Sequence, residues 1–200
     1  MLALDTCTNT ARPFGSRSVF IRRLNAPDGR AISAHFVRLS ASDRHLRFCQ
    51  ERTDTQLEQY VAELQYDRDP VLGAFSEGRL VGVCHVGLAL GEPVPTAELG
   101  ISVDHAARGL RVGAALMNAA FVSAAHHGCT MVLIYYLQQN HRMHGMCVRL
   151  GADVARVAGE CTGLIPLVAV WDGAVLSSLT AGSRCIPLPE SLLQEAPPAQ

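Results

Sequence analysis

Apolar residues follow two different patterns along this chain, one typical of helices and one typical of strands, and the change between them separates the predicted elements. Spacings of three and four positions predict amphipathic helices over residues 32–39, 57–64, 112–126 and 140–150. Thr53 and Gln56 form a capping box before the second helix. Gly151 follows the fourth, where a glycine commonly ends a helix.

Short runs rich in β-branched and aromatic residues predict strands over residues 19–24, 71–75, 80–88, 98–103, 130–137 and 165–170. The turn sequences SEGR and GEPVPT separate the second, third and fourth runs, which predicts an antiparallel meander. The fifth run, TMVLIYYL, is continuously apolar and predicts a strand buried on both faces. The order of helices and strands predicts one mixed α/β domain.

Both ends of the chain lack periodicity. Residues 1–17 mix Thr, Asn, Pro, Gly and Ser and are predicted to form a flexible leader. Residues 173–200 include PLPE and close on APPAQ, which predicts a wrapping or disordered tail. Residues 18–172 are therefore predicted to form a single domain.

Composition excludes several chemistries. The chain has 200 residues, 48% hydrophobic and 18% charged, which suits one well-buried domain. All seventeen basic residues are arginines, so neither a pyridoxal Schiff base nor a phosphate loop of the GKS/T kind can form. A net charge of −1 argues against broad electrostatic binding of nucleic acid.

The seven cysteines are scattered and form no CxxC pair, so neither structural zinc nor a disulfide framework is expected. No apolar run reaches the roughly 20 residues that span a bilayer, and the first residues lack the pattern of a signal peptide. These features predict a cytoplasmic protein that does not bind membranes. The low charge content is compatible with a homodimer.

Acidic residues are distributed unevenly. Residues 105–152 contain no Asp or Glu but hold four arginines and five histidines. Within them, ARGLRVG at 107–113 joins a predicted strand to a predicted helix. Backbone N–H groups at a helix N-terminus, flanked by arginines, bind phosphate or pyrophosphate. The alternative is a glycine turn with solvated arginines, and the absence of acids favours the anion site.

Two segments carry a resemblance to a known family. ELGISVDHAARGLRVGAALM at 98–117 and NHRMHGMCVRLGA at 140–152 resemble the GCN5-related N-acetyltransferase (GNAT) superfamily, whose acetyl-CoA loop reads Q/R-x-x-G-x-G/A. Arg108 and Gly113 match the outer positions of that pattern, whereas Arg111 replaces its central glycine. The side chain of Arg111 could clash with the pyrophosphate or add a charge to it. The resemblance implies the GNAT fold, with six to seven strands in a central mixed sheet and about four flanking helices.

A narrower likeness is to bacterial protein-lysine acetyltransferases of the Pat type. It is carried by FVRLSASDRHLRFCQ at 36–50, YDRDPVLGAF at 66–75 and the NxxM of residues 140–143. It implies direct transfer of an acetyl group from acetyl-CoA to a primary amine in a ternary complex, without a metal. A protein lysine is the favoured acceptor and a small amine the second.

The resemblance also assigns roles to single residues. Glu98 aligns with the glutamate that deprotonates the acceptor amine, although its position alone would suit an exposed charge at a strand end. Independently, the missing side chain of Gly100 favours a bulge or a close ligand. The residues expected to bind acetyl-CoA are Ile101, Ser102 and Val103 along the pantetheine, Arg108, Gly109, Leu110, Arg111, Val112 and Gly113 around the pyrophosphate, and Asn140.

Cys147 lies two helical turns after Asn140, where many GNAT members place a tyrosine that protonates the departing thiolate. It is either an acid with a thiol pKa of about 8.5 or a small packing residue, and packing is favoured. His141, His144 and Cys147 rotate away from one helix face, so a metal site is not expected. Two rival functions stay open: an acyl-CoA-binding regulatory module without useful catalysis, and an interaction protein that keeps only the fold.

Overall fold

A seven-stranded sheet organises residues 19–167, which are the residues that the computed structural model describes. Its strands are β1 (Val19–Leu24), β2 (Val71–Ser76), β3 (Arg79–Ala89), β4 (Thr96–Val103), β5 (Met131–Leu137), β6 (Asp153–Val157) and β7 (Glu160–Pro166). They lie side by side in the order β1-β2-β3-β4-β5-β7-β6. The β4–β5 pair is parallel and the other neighbouring pairs are antiparallel.

Five α-helices cover the two faces of this sheet. They are α1 (Gly29–Arg38), α2 (Ala41–Phe48), α3 (Asp54–Ala62), α4 (Val112–His126) and α5 (His141–Arg149). Helices α1 and α3 bury Ile32, Phe36 and Leu57 in a cluster with β1, β2 and β3. Helices α4 and α5 pack on the opposite face. The predicted mixed α/β architecture is thus confirmed, with five helices instead of four.

The predicted antiparallel meander is confirmed, since β2, β3 and β4 pair in sequence. The capping box at Thr53 and Gln56 starts α3, and Gly151 follows α5 with a φ of +68°. Between β1 and β2, however, the sequence predicted two helices and the structure has three. Helix α2 was not predicted because it has only two large apolar residues, Leu46 and Phe48, which are too few to show a helical repeat.

The end of the sheet also differs from the prediction. A strand was predicted over 165–170, but the structure has a β6–β7 hairpin in which β7 begins at Glu160. The turn uses Ala158 and Gly159 with φ values of +51° and +87°. Strand β6 is mostly exposed, so it lacks the apolar run that would have revealed it. Residues 168–170 lie outside the described part of the chain.

Strand β5 is buried on one face instead of two. Val132, Ile134 and Tyr136 are buried beneath α4 and α5, while Tyr135 on the opposite face is 52% exposed. The apolar cluster under α1 and α3 draws its strand residues from β1, β2 and β3, and includes no buried residue of β5. Within residues 19–167, helix α2 reaches one end of β5, and no apolar cluster covers this face of the strand.

Some predictions fall outside the described residues. The leader at 1–17 and the tail at 173–200 belong to that part of the chain, so the limits of the predicted domain stay a prediction. Within residues 19–167, no helix is long and apolar enough to cross a membrane.

Candidate active site

The parallel pair of strands separates in the middle of the sheet. Strands β4 and β5 pair over three residues only, ending where Glu98 faces Leu133. Beyond that point β4 continues to pair with β3 as far as Val103, and β5 continues with β7 as far as Leu137. The β5-facing edge of residues 99–103 therefore has no strand partner in the described structure. Unpaired backbone groups at such an edge are available to a ligand.

The loop after β4 leads directly into the long helix α4. Gly109 has a φ of +82°, and Arg111, the N-cap of α4, has a φ of +58°. Arg111 thus has a left-handed backbone, which glycine adopts most easily, although it carries a side chain. The first N–H groups of α4 have no partner within the helix, and the helix dipole makes this end positive. Its backbone suits an anion such as pyrophosphate.

A cavity of about 170 Å³ lies between this loop, the free edge of β4 and the helices α2 and α5. It brings together six of the ten residues predicted to bind acetyl-CoA. Its lining consists of Leu39, Asp43, Leu46, Arg47, Ile101, Ser102, Val103, Arg108, Gly113, Asn140, Arg142, Met143 and Met146. We call it the donor cavity. Gly109, Leu110, Arg111 and Val112 lie in the loop and helix start beside it, outside its lining.

Helix α2 contributes Asp43 to the donor cavity, where it forms a charged pair that the sequence did not predict. The guanidinium of Arg108 forms an ion pair with the carboxylate of Asp43. Asp43 also accepts a hydrogen bond from the Ser40 hydroxyl at 2.7 Å. These contacts attach α2 to the loop before α4. The partners lie 65 residues apart, so no local pattern could have indicated the pair.

Arg47 occupies the space that Gly100 leaves free. The strand pairing is regular through Gly100, so the predicted bulge is wrong and the close neighbour is a side chain. A Cβ atom at Gly100 would overlap the Arg47 guanidinium. Arg47 also stacks on Phe48, with the guanidinium carbon 4.7 Å from the ring centre. The glycine is explained by the close approach of an arginine from α2.

A chain of polar groups continues behind Arg47. Arg47 donates to the Tyr60 hydroxyl at 3.2 Å, and this hydroxyl lies 2.9 Å from Nδ1 of His85. Because a guanidinium only donates, Tyr60 donates its own proton to His85. Nε2 of His85 then faces the carboxylate of Asp69 at 3.8 Å. Burial and the charge of Arg47 lower the pKa of His85, which favours the neutral ring that this chain requires.

A second buried chain fixes the end of β4 to α1. The Ser102 hydroxyl lies 2.8 Å from Nε2 of His35, and Nδ1 of His35 lies 3.0 Å from Asp104. Arg38 and Arg79 reach the other oxygen of Asp104. Burial raises the pKa of Asp104, but the hydrogen bond from His35 and the charge of Arg38 outweigh it and hold that pKa below its ordinary value.

Glu98 is exposed at the point where β4 and β5 separate. Alternation along β4 places its side chain on the same face as Gly100 and Ser102, the face that α1 and α2 cover. Burial together with the nearby carboxylates of Glu160 and Glu98 raises the pKa of Cys49. The charge of Arg47 acts on the same thiol in the opposite direction, so two carboxylates and one arginine leave this side of the gap negative on balance, whereas Arg108 and Arg142 line the donor cavity.

Cys147 does not reach the donor cavity. It is fully buried, and a Cβ atom at Gly163 of β7 would lie 3.1 Å from its sulfur. Burial raises the pKa of this thiol to about 11. The structure therefore favours packing over the role of an acid.

Both ring nitrogens of His144, three residues before Cys147, also have contacts within the protein. His144 lies 2.9 Å from the Tyr136 hydroxyl through Nδ1 and 3.1 Å from Arg156 through Nε2. Among residues 19–167, no three His, Cys, Asp or Glu side chains are grouped to hold a metal ion. The contacts of His144 are those of a polar residue that links α5 to β5 and β6.

Comparisons with known proteins agree with this geometry. Residues 38–152 match the model of the acetyltransferase (GNAT) family. No curated protein sequence matches the chain at a significant level. Among solved structures, the GNAT domain of S. lividans PAT has a TM-score of 0.63 at 16% identity, covering 73% of this chain and 89% of that one.

Two further structures show the same fold. The N-acetyltransferase from Staphylococcus aureus Mu50 has a TM-score of 0.60 at 18% identity, over 75% of this chain and 99% of that one. The PaiA N-acetyltransferase from Thermoplasma acidophilum, in complex with coenzyme A, has a TM-score of 0.59 at 16% identity, over 74% and 99%. At such identities the likeness is one of fold.

Proposed function

The chain belongs to the acetyltransferase (GNAT) family and is an acyltransferase, and from that premise we propose that it transfers an acetyl group from acetyl-CoA to a protein lysine. The observation that carries the proposal is the separation of β4 from β5 at Glu98. A cavity with arginines in its lining lies on one side of this gap, and exposed carboxylates lie on the other. A negative donor and a positive acceptor could therefore meet there.

The donor cavity has the groups that acetyl-CoA needs. Arg108 and the first N–H groups of α4 would hold the pyrophosphate. The free edge of Ile101 to Val103 would pair with the amides of the pantetheine arm. The Asn140 side-chain oxygen accepts from the Met143 N–H at 3.1 Å, which leaves its amide N–H groups for the ligand. Bound acetyl-CoA supplies the thioester, and these contacts would direct it into the gap.

Glu98 is proposed to remove the proton that keeps a lysine amine unreactive at neutral pH. The freed nitrogen forms a bond to the thioester carbonyl carbon, and the carbon–sulfur bond breaks. Glu98 takes one proton of the ammonium, directly or through water. A second leaves the nitrogen for the sulfur, which departs as the CoA thiol. Direct attack needs no nucleophilic side chain, in keeping with the burial of Cys147.

The acceptor side suits a lysine presented by another protein. Tyr135 and Leu164 lie on the same face of the sheet as Glu98 and are 52% and 38% exposed, so this surface is accessible to an acceptor. Glu98 and Glu160 give it a negative charge that attracts an ammonium. An open negative surface accommodates a protein segment more readily than a closed pocket would.

The absence of lysine makes the test unusually clean, because the enzyme has no lysine side chain of its own to acetylate. Radiolabelled acetyl-CoA would be supplied with lysine-containing peptides, with the same peptides carrying arginine, and with small amines. We expect label and CoA release with the lysine peptides only. Transfer confined to small amines would overturn the protein acceptor. Donor binding without transfer would favour the regulatory module, and no donor binding would favour a protein that keeps only the fold.

A further inference from the structure

We propose that the donor cavity also accepts a short acyl group that ends in a carboxylate, such as succinyl, and that Arg47 binds this carboxylate. Transfer of a charged acyl group would be a further activity of the site. The inference rests on the proposed function, because it assumes that an acyl-CoA binds with its thioester near the gap between β4 and β5. It concerns the acyl group and not the acceptor.

The position of Arg47 places it at the acyl end of the cavity. The pyrophosphate loop follows Val103, whereas Arg47 contacts Gly100, three residues deeper in the strand. At a rise of about 3.3 Å per residue, Gly100 lies about 10 Å further into the sheet. Gly100 is also the second residue after the last β4–β5 pair at Glu98. A thioester in the gap would therefore lie beside the guanidinium.

The charge of Arg47 has no carboxylate partner within residues 19–167. Asp43 is the acidic residue that lines the cavity, and Arg108 already engages it. The Nε atom of Arg47 is buried without a hydrogen-bond partner. An acetyl methyl group would leave this donor unsatisfied, whereas a carboxylate would accept from it and compensate the charge.

The guanidinium is held in place before any ligand binds. It stacks on Phe48 and donates to Tyr60, whose hydroxyl is fixed in turn by His85. A pre-positioned arginine loses little conformational freedom when it binds a carboxylate. This arrangement is stronger evidence for a binding group than a solvated arginine at the rim would be.

The carboxylate belongs to the donor and not to the acceptor. Arg47 shares its cavity with Ile101 to Val103, the expected pantetheine contacts. The acceptor would approach Glu98 and Glu160, which repel a carboxylate. In the reaction, the amine nitrogen bonds to the thioester carbonyl and the CoA thiol leaves, as for acetyl transfer. The distal carboxylate of the acyl group takes no part.

The experiment compares succinyl-CoA with butyryl-CoA, which has the same four-carbon chain without the charge, and with acetyl-CoA. The readout is the ratio of kcat/KM values for succinyl and butyryl transfer to one acceptor. We expect a ratio well above one in the wild type. Arg47→Met should lower it roughly 10- to 100-fold, as expected for losing hydrogen bonds to a charged group. Arg52→Met is the matched control, because Arg52 also lies over Phe48 but does not line the cavity.

A second variant tests the same site without altering the arginine. Gly100→Ala places a methyl group where the guanidinium lies, so Arg47 must move and the ratio should fall. Gly87→Ala is its control, because a Cβ atom there meets nothing closer than the Glu98 carbonyl oxygen at 3.8 Å. Thermal unfolding followed by circular dichroism would identify any variant that fails to fold.

The outcomes separate the two proposals. A ratio near one in the wild type, or an unchanged ratio in both Arg47→Met and Gly100→Ala, would overturn the role of Arg47 while acetyl transfer leaves the proposed function intact. Failure of the wild type to bind or transfer any of the three acyl groups would overturn both.

Discussion

The two faces of the sheet differ in what they bury. Beneath α4 and α5 lies an apolar cluster of 26 buried residues, and the polar contacts of His144 with Tyr136 and Arg156 lie at its α5 end. Beneath α1 and α3, the apolar cluster has eleven buried members, and polar chains run beside it through His35 and His85. The face under α4 and α5 therefore supplies most of the apolar core, while the face under α1 and α3 carries the longer polar chains that position charge. The chemistry is expected on the polar face and at its border with the donor cavity.

The largest expected effect tests whether the polar face performs the proton transfer. Glu98→Gln should lower turnover by roughly 100- to 1000-fold, the contribution of a general base. Acetyl-CoA affinity should change by less than about twofold, since Glu98 does not line the donor cavity. Turnover would be measured by CoA release and affinity by isothermal titration. Glu160→Gln is the control for a carboxylate on the same face. Equal loss of turnover and affinity would contradict the assignment.

The difference between the faces also explains what could be predicted from the sequence. Helix α4 and strand β5 have the predicted positions because both are long apolar segments bounded by polar or glycine-containing turns. The loop before α4 could be predicted as an anion site because its arginines and glycines lie close together in a segment without acids. Sequence patterns were sufficient for prediction wherever the residues that contact one another are also close in the sequence.

The polar face could not be predicted in this way. Arg47 meets Gly100 across 53 positions of the chain, and His35 meets Ser102 across 67. Helix α2, which carries Arg47 and Asp43, has only Leu46 and Phe48 as large apolar residues, too few to reveal a helix in the sequence. The glycine at position 100 was a signal of close approach, but the sequence does not say what approaches. Such contacts can be identified only from the folded structure, in which the strands bring the residues together.

The second effect concerns stability. Asp104→Asn should lower the free energy of unfolding at pH 7 by about 3 kcal/mol, because it leaves the buried His35 and the cations Arg38 and Arg79 without their carboxylate. Asp54→Asn removes the partner of Arg44 at an exposed position and should cost less than about 1 kcal/mol. Urea unfolding of both variants measures the difference. Similar losses would show that the polar chain adds nothing beyond a surface pair.

Comparing the stability of the wild type with that of Asp104→Asn over a range of pH tests the same contacts, and the pKa of Asp104 fixes the direction of the expected change. The pKa of Asp104 is held below its ordinary value of 3.8, so its contribution is fully present above that value. It is lost as the pH falls through the lower pKa of the folded state. The advantage of the wild type over Asp104→Asn should therefore be constant from pH 7 to about 5 and shrink below it. An advantage that disappears between pH 7 and 5 would point to a different group.

The smallest expected effect tests the apolar face. A thiol whose pKa is raised to about 11 by burial is a weaker acid than an ordinary thiol, so it is poorly suited to protonate a departing thiolate. Cys147→Ala should therefore change turnover by less than about twofold and lower the free energy of unfolding by about 1 kcal/mol, through the space left beside Gly163. Turnover at saturating donor and acceptor, measured well below the melting temperature, separates the two consequences. A tenfold loss of turnover in a folded Cys147→Ala protein would give the apolar face a chemical role and remove the distinction between the two faces.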